Sequence, residues 1–184
     1  MSPMLPWVLK ITPSGMPQCW IDVYAAVNEI TTDRVLYSFG EICSTLHGGI
    51  NRLGIQSTLE IPQILVGRSN PKVMPTTPSL HNKHLFARDG YRCMYCGDAF
   101  PQHLLSRDHI IPLSRGGRDI WTNVVAACKR CNNYKGNKML EECSLELLAV
   151  PYRPNRHEYL YLSNRRVLAD QMEFLKKGFR NLVA

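Results

Sequence analysis

The sequence predicts a mixed α+β fold: a small α+β unit, then a β-hairpin on a short helix anchored by four cysteines, then a C-terminal helix. Three observations carry that prediction. Two C-x-x-C pairs, Cys93/Cys96 and Cys128/Cys131, bracket an Asp-His dipeptide at Asp108-His109. Short apolar runs of strand length alternate with stretches of helical periodicity. A proline-rich stretch near residue 70 separates an N-terminal part of balanced charge from a strongly basic remainder.

Residues 1–67 read as the small α+β unit, whose role the sequence leaves unknown. Trp7–Ile11 has strand character and is followed by a turn containing Pro13, Gly15 and Pro17. Trp20–Ile30 has helical spacing, with Ile21, Tyr24, Ala25, Val27 and Asn28 at three- and four-residue steps. Val35–Phe39 and Ser57–Ile61 read as paired strands, with the Gly-rich His47–Gly54 between them as a surface turn. That loop lacks the Lys-Ser/Thr that a phosphate-binding loop requires. Residues 68–79, with three prolines among small polar residues, read as a linker.

Residues 80–142 form the central module. Leu80–Arg92 predicts a short helix ended at Gly90. Two C-x-x-C pairs on separate turns can place four thiolates around one tetrahedral Zn²⁺, so Cys93, Cys96, Cys128 and Cys131 are candidate ligands for a structural zinc. A redox dithiol needs only one pair. Between the pairs, Arg107–Leu113 reads as a strand that Pro112 ends, Ser114–Asp119 as a Gly-Gly loop, and Val124–Ala127 as a second strand. Lys129–Gly136 predicts a helix of about two turns. A hairpin packed on that helix brings Asp108, His109 and Asn132 across one groove. Asp108 and Asn132 offer oxygen ligands suited to Mg²⁺ or Mn²⁺, with His109 beside them as a general base.

Residues 143–184 are expected to be a helical extension packing on this core. Glu141–Leu148 continues as a short helix, Pro151 and Pro154 break the chain, and a final helix covers about Ser163 to Phe179. Its apolar stripe, Val167, Leu168, Met172, Leu175 and Phe179, is a packing face.

Composition narrows the function classes. A hydrophobic content of 45% with 20% charged residues suits a globular domain. Seven cysteines, four of them assigned to metal, leave Cys19, Cys43 and Cys143 without a pairing pattern. That argues against a secreted disulfide framework and for a reducing, cytoplasmic location. No signal-peptide pattern or stretch of about 18 apolar residues is present, so no membrane partner is expected. The net charge of +7 arises wholly after residue 80. Residues 81–140 alone hold ten basic against four acidic residues, the footprint of a polyanionic partner.

The segment resembles the HNH endonuclease family, a ββα-metal nuclease core often carried on a zinc-binding treble clef. The resemblance rests on Cys93/Cys96, on DHIIPLSRGG at Asp108–Gly117, on Asn123, and on C-x-x-C-N-x-x-K-G at Cys128–Gly136. It covers roughly residues 80–140. By that resemblance His109 is the general base, Asn123 orients it, and Asn132 binds the catalytic metal with Asp108; Asn133 is the alternative ligand to Asn132. It implies bacterial or phage origin and hydrolysis of DNA, double-stranded in form, to 5′-phosphate and 3′-hydroxyl ends. A homodimer stays open. Arg88, Arg92, Arg115, Arg118, Lys129, Arg130 and Lys135 are the candidate phosphate contacts. A zinc-knuckle nucleic-acid-binding module that does not cut is the main alternative, and a thiol-based redox or metal sensor the third.

Overall fold

The computed structural model describes residues 5–68, 78–163 and 166–182. The chain divides into two compact units, Met1–Thr76 with Arg156–Phe179 and Thr77–Asn155 with Arg180–Val183. The linker predicted at residues 68–79 falls largely outside the described residues.

In the first unit, β1 (Val8–Ile11), β2 (Pro17–Ile21), β3 (Val35–Ile50) and β4 (Gln56–Gly67) form one sheet in the order β2-β1-β4-β3. Strands β1 and β4 run parallel and the two outer pairings are antiparallel. Helix α1 (Val23–Thr31) starts later than its periodicity suggests. Asp22 caps it, its carboxylate accepting the Ala25 N–H at 2.7 Å, while Cys19 and Trp20 extend to pair with Lys10 and Leu9. The predicted surface turn at His47–Gly54 is also displaced. Gly48 and Gly49 lie inside β3, and the turn follows, closed by Asn51 Oδ1 accepting from the N–H groups of Leu53 and Ile55. A Cβ at Gly48 would stand 2.3 Å from Ser57 Oγ. Close cross-strand approach explains that glycine better than a turn does.

Alternation along these strands dictates two covered faces. Val8, Ile61 and Leu65 pack on Val23 and Ala26 of α1. Leu9, Ile11, Ile64 and Val66 point the other way. Their cover comes from the C-terminus: α4 (Arg156–Ser163) supplies Leu160 and α5 (Ala169–Lys176) supplies Leu175. The expectation that residues 143–184 pack on the cysteine-bearing core is therefore corrected for Arg156–Phe179. Trp20 Nε1 donates to Leu160 O at 2.9 Å, and the buried Gln171 amide donates to Trp7 O and Gln63 O. The final helix, expected over about Ser163 to Phe179, is the shorter α5; α4 precedes that range as an unexpected helix, and the one expected at Glu141–Leu148 is only a 3₁₀ turn, Leu140–Glu142.

The second unit is the hairpin-and-helix module. Strand β5 (Leu105–His109) pairs antiparallel with β6 (Val124–Cys128), so that Asp108 faces Val125 and His109 faces Val124. One face of this ribbon, with Leu105, Val124 and Ala126, packs on Leu85 and Phe86 of α2 (Asn82–Arg88). The other, with Val125 and Ala127, packs on the cysteines, Met94 and Tyr95. Helix α3 (Lys129–Lys135) follows β6 without a loop, with Cys128 as its N-cap. No helix among the described residues is long and apolar enough to cross a membrane.

Leu175 is fully buried on the sheet. Leu175→Ala is expected to cost the protein about 2–5 kcal/mol in chemical denaturation. A loss below about 1 kcal/mol would show that α5 is not a structural cover for this sheet.

Candidate functional site

The sulfurs of Cys93, Cys96, Cys128 and Cys131 lie within 4.8 Å of one another. Four thiolates at about 2.3 Å from a tetrahedral ion stand about 3.8 Å apart, so the set fits one metal. Backbone bonds build the first turn: Cys93 N–H donates to Asp98 O, and Gly97 N–H to Cys93 O, both at 2.9 Å. Met94 N–H donates to Ala126 O at 2.8 Å, tying that turn to β6. The second pair needs no separate turn, because the Cys131 N–H donates to Cys128 Sγ at the start of α3. Burial, then the Cys128 and Cys93 sulfurs, push the Cys131 thiol up to about 12. Burial also opposes a Cys93 thiolate, but the N–H groups of Cys128, Cys96 and Tyr95 bring that thiol below its ordinary value.

Asp108 and His109 are consecutive on β5, so their side chains leave opposite faces of the ribbon. Asp108 is buried on the α3 side, where Tyr95 Oη–H donates to Oδ2 and Lys135 Nζ stands 3.3 Å from Oδ2. Asn132 lies on the same side, donating from Nδ2 to Ser106 Oγ at 2.8 Å. Two oxygen donors thus flank the seam between β5 and α3. The short bond of Lys135 goes to His109 O at 2.7 Å, so the Asp108 carboxylate keeps accepting capacity, and Asn132 keeps its carbonyl oxygen. In kind, that pair suits a hard divalent cation completed by water and phosphate oxygens. His109 is on the opposite side and partly exposed. Its Nε2 lies 2.8 Å from Asp119 Oδ1, and Asp119 Oδ2 takes Arg107 at 2.6 Å. Burial opposes the charge of Asp119, but Arg107 and His109 outweigh it and hold that carboxyl below its usual range.

Asn123 bonds through its amide to loop backbone rather than to the His109 ring, which corrects its predicted orienting role. It is buried, and its amide is spent on the backbone of the hairpin loop: Oδ1 accepts from Ile111 N–H, and Nδ2 donates to Ile111 O and Arg118 O. Gly117 belongs to the same closure, since a Cβ there would stand 1.8 Å from Ile111 O.

Two predicted phosphate contacts are also corrected. Arg88 is buried, forked onto Asp89 and donating to Trp121 O, Val124 O and Tyr152 O. Lys135 is fully buried beneath the strand. Lys129, Arg130, Arg118 and Arg92 are exposed, with Arg92 bonded to Gly97 O at 3.1 Å. Arg115 is exposed and paired with Glu142 at 2.7 Å.

This arrangement lies inside a stretch with known relatives. Residues 93–148 match the HNH endonuclease family. The match opens on Cys93, the first of the four clustered cysteines, and closes at Leu148, whose N–H donates to Met94 O at 3.0 Å. The chain is 41% identical over 49 residues to a CRISPR-associated endonuclease Cas9 of Actinomyces naeslundii, covering 26% of this chain and 4% of that protein. It is 33% identical over 69 residues to the Cas9 of Corynebacterium diphtheriae, covering 37% of this chain and 6% of that protein. The crystal structure of the Type II-C Cas9 enzyme from A. naeslundii aligns at 22% identity and a TM-score of 0.30, over 54% of this chain and 11% of that one. The chain therefore spans only a small part of the length of these relatives.

Sequence reasoning missed three side chains around this site: Tyr95, Arg107 and Asp119. Strand alternation held part of the signal, because it puts Arg107 and His109 on one face. Beside Asp119 opens a cleft of about 410 Å³ lined by Leu80, Ile120, Trp121 and Thr122 among others.

The four-cysteine geometry predicts one tightly bound metal ion per purified chain by elemental analysis, lost in Cys131→Ser together with thermal stability. Metal-free wild-type protein of equal stability would contradict it. Gly117→Ala is expected to lower stability by about 1–3 kcal/mol through the backbone clash, measured by thermal unfolding; an unchanged melting temperature would show that the loop yields freely.

Proposed function

We propose that this protein is a metal-dependent endonuclease that hydrolyses DNA phosphodiester bonds. The observation that carries the reading is the HNH endonuclease match over residues 93–148, within which Asp108-His109 ends β5 beside the seam with α3. The cysteine set takes zinc, the usual ion for four thiolates, in a structural role. The second ion, Mg²⁺ or Mn²⁺, would be held by Asp108 and Asn132. When bound, it supplies Lewis-acid charge at the scissile phosphate and the leaving oxygen.

The chain's own residues do the rest. His109 is partly exposed, with a side-chain accessibility of 21%, and in its neutral form it takes a proton from the attacking water. Asn123 fixes the loop that follows His109, and so fixes where β5 ends. Arg92, Arg115, Arg118, Lys129 and Arg130 hold the polyanion by contacts to phosphate, which carry charge but little base identity. Duplex DNA fits the ten-to-four excess of basic residues in this region.

A second reading, a zinc-bearing module that binds nucleic acid without cutting, draws on one observation. The Asp108 carboxylate is buried against Tyr95 and Lys135 rather than open to solvent. Conversion of supercoiled plasmid separates the two. Wild-type protein is expected to nick with Mg²⁺ or Mn²⁺ and not with EDTA, and His109→Ala to lose about 10²–10⁴-fold in rate at unchanged metal content. DNA binding by both proteins with cutting by neither would favour the binding module.

A further inference from the structure

We propose that Asp119 is the positioning residue of the His109 ring and that Arg107 fixes Asp119 in turn. This deepens the nuclease reading of the same site and rests on it. The connection is continuous in the structure. His109 Nε2 lies 2.8 Å from Asp119 Oδ1, and Arg107 Nη1 lies 2.6 Å from Asp119 Oδ2. Arg107 is itself held, since its Nε donates to Asn82 Oδ1 at 2.9 Å, at the start of α2. Arg107 and His109 are two apart on β5 and so share a face. Asp119 enters from the loop that Asn123 closes through Arg118 O, one residue away.

An ionised carboxylate only accepts hydrogen bonds. Neutral His109 facing Asp119 must therefore carry its proton on Nε2, which leaves Nδ1 as the nitrogen that takes the proton from water. Asp119 thus selects both the tautomer and the ring orientation. Arg107 sharpens the selection because a guanidinium only donates, so it occupies one carboxylate oxygen and turns the other to the imidazole. Asn123 cannot do this work. All its amide bonds given by the structure go to backbone groups of the loop, so it acts on His109 only through loop shape. A bystander ion pair is the competing account, because the Asp119 side chain is 48% exposed and exposed pairs contribute little stability. The two accounts differ in what Asp119→Asn does. Arg107 would take the single amide oxygen, turning the NH₂ group toward His109 Nε2 and favouring the opposite tautomer.

The test pairs a spectroscopic readout with plasmid-nicking kinetics on wild type, Asp119→Ala, Asp119→Asn and His109→Ala. Ring ¹⁵N spectra are expected to report Nε2–H in wild type and a shift toward Nδ1–H in Asp119→Asn. Both Asp119 variants are expected to lose about 10–100-fold in kcat, with KM for plasmid within about twofold of wild type. An unchanged tautomer in Asp119→Asn would overturn the proposal. So would wild-type kcat in both Asp119 variants while His109→Ala is inactive. Full activity in His109→Ala would instead sink the nuclease reading of His109, and the tautomer measurement would still decide the pairing.

Discussion

Lys135 is fully buried and its ammonium faces His109 O and Asp108, and much of the site depends on that one charge. An ammonium without counter-charge or acceptors is too costly to bury, so α3 can lie against β5 only where the carboxylate and the carbonyl both meet it. Tyr95 extends the same network into the first cysteine turn through its hydroxyl on Asp108. Burial and the neighbouring carboxylate push that phenol far above its ordinary pKa. Strand, helix and metal turn are therefore registered on a single polar centre. The cysteine cluster ties the ends of these elements, and the buried network sets their middle.

A two-stranded ribbon with both faces covered explains the division of labour at the site. Even-numbered side chains of β5, Ser106 and Asp108, meet α3. Odd-numbered ones, Arg107 and His109, meet Asp119 and the α2 side. The Asp108 carboxylate and the His109 imidazole are consecutive in sequence yet separated by the thickness of a strand at its last residue. A phosphate reaching both would lie across the end of β5 rather than along the ribbon. The loop after His109 therefore needs a fixed shape, which Asn123 and Gly117 supply from within, one by hydrogen bonds and the other by having no side chain.

How much of this was legible in the sequence follows from how local each signal is. The mixed α+β class and the nearness of four cysteines follow from strand-length runs and C-x-x-C spacing, which are read over a few residues. The charge footprint also survives averaging. Arg88 failed because a charged residue on a short helix reads as surface, while three carbonyls and Asp89 waiting in the fold are invisible from position 88. Lys135 failed for the same reason, since its partners are 26 and 27 residues away. Asp119 sits in an exposed Gly-Gly loop where an acidic residue is unremarked, and only closure of that loop puts it on His109. The stripe on the final helix announced that something was covered, but no stripe states which surface it covers.

The cover of the four-stranded sheet has a consequence for synthesis on the ribosome. Strands β1 to β4 emerge first, yet one of their faces stays bare until Arg156–Phe179 has been made. The cysteine-bearing unit, Thr77–Asn155, is continuous apart from a few terminal residues and is available earlier. Domains fold as units when their sequence is complete. The later-encoded unit can thus reach its native structure while the earlier one still waits, its apolar strands exposed, for the final helices to arrive.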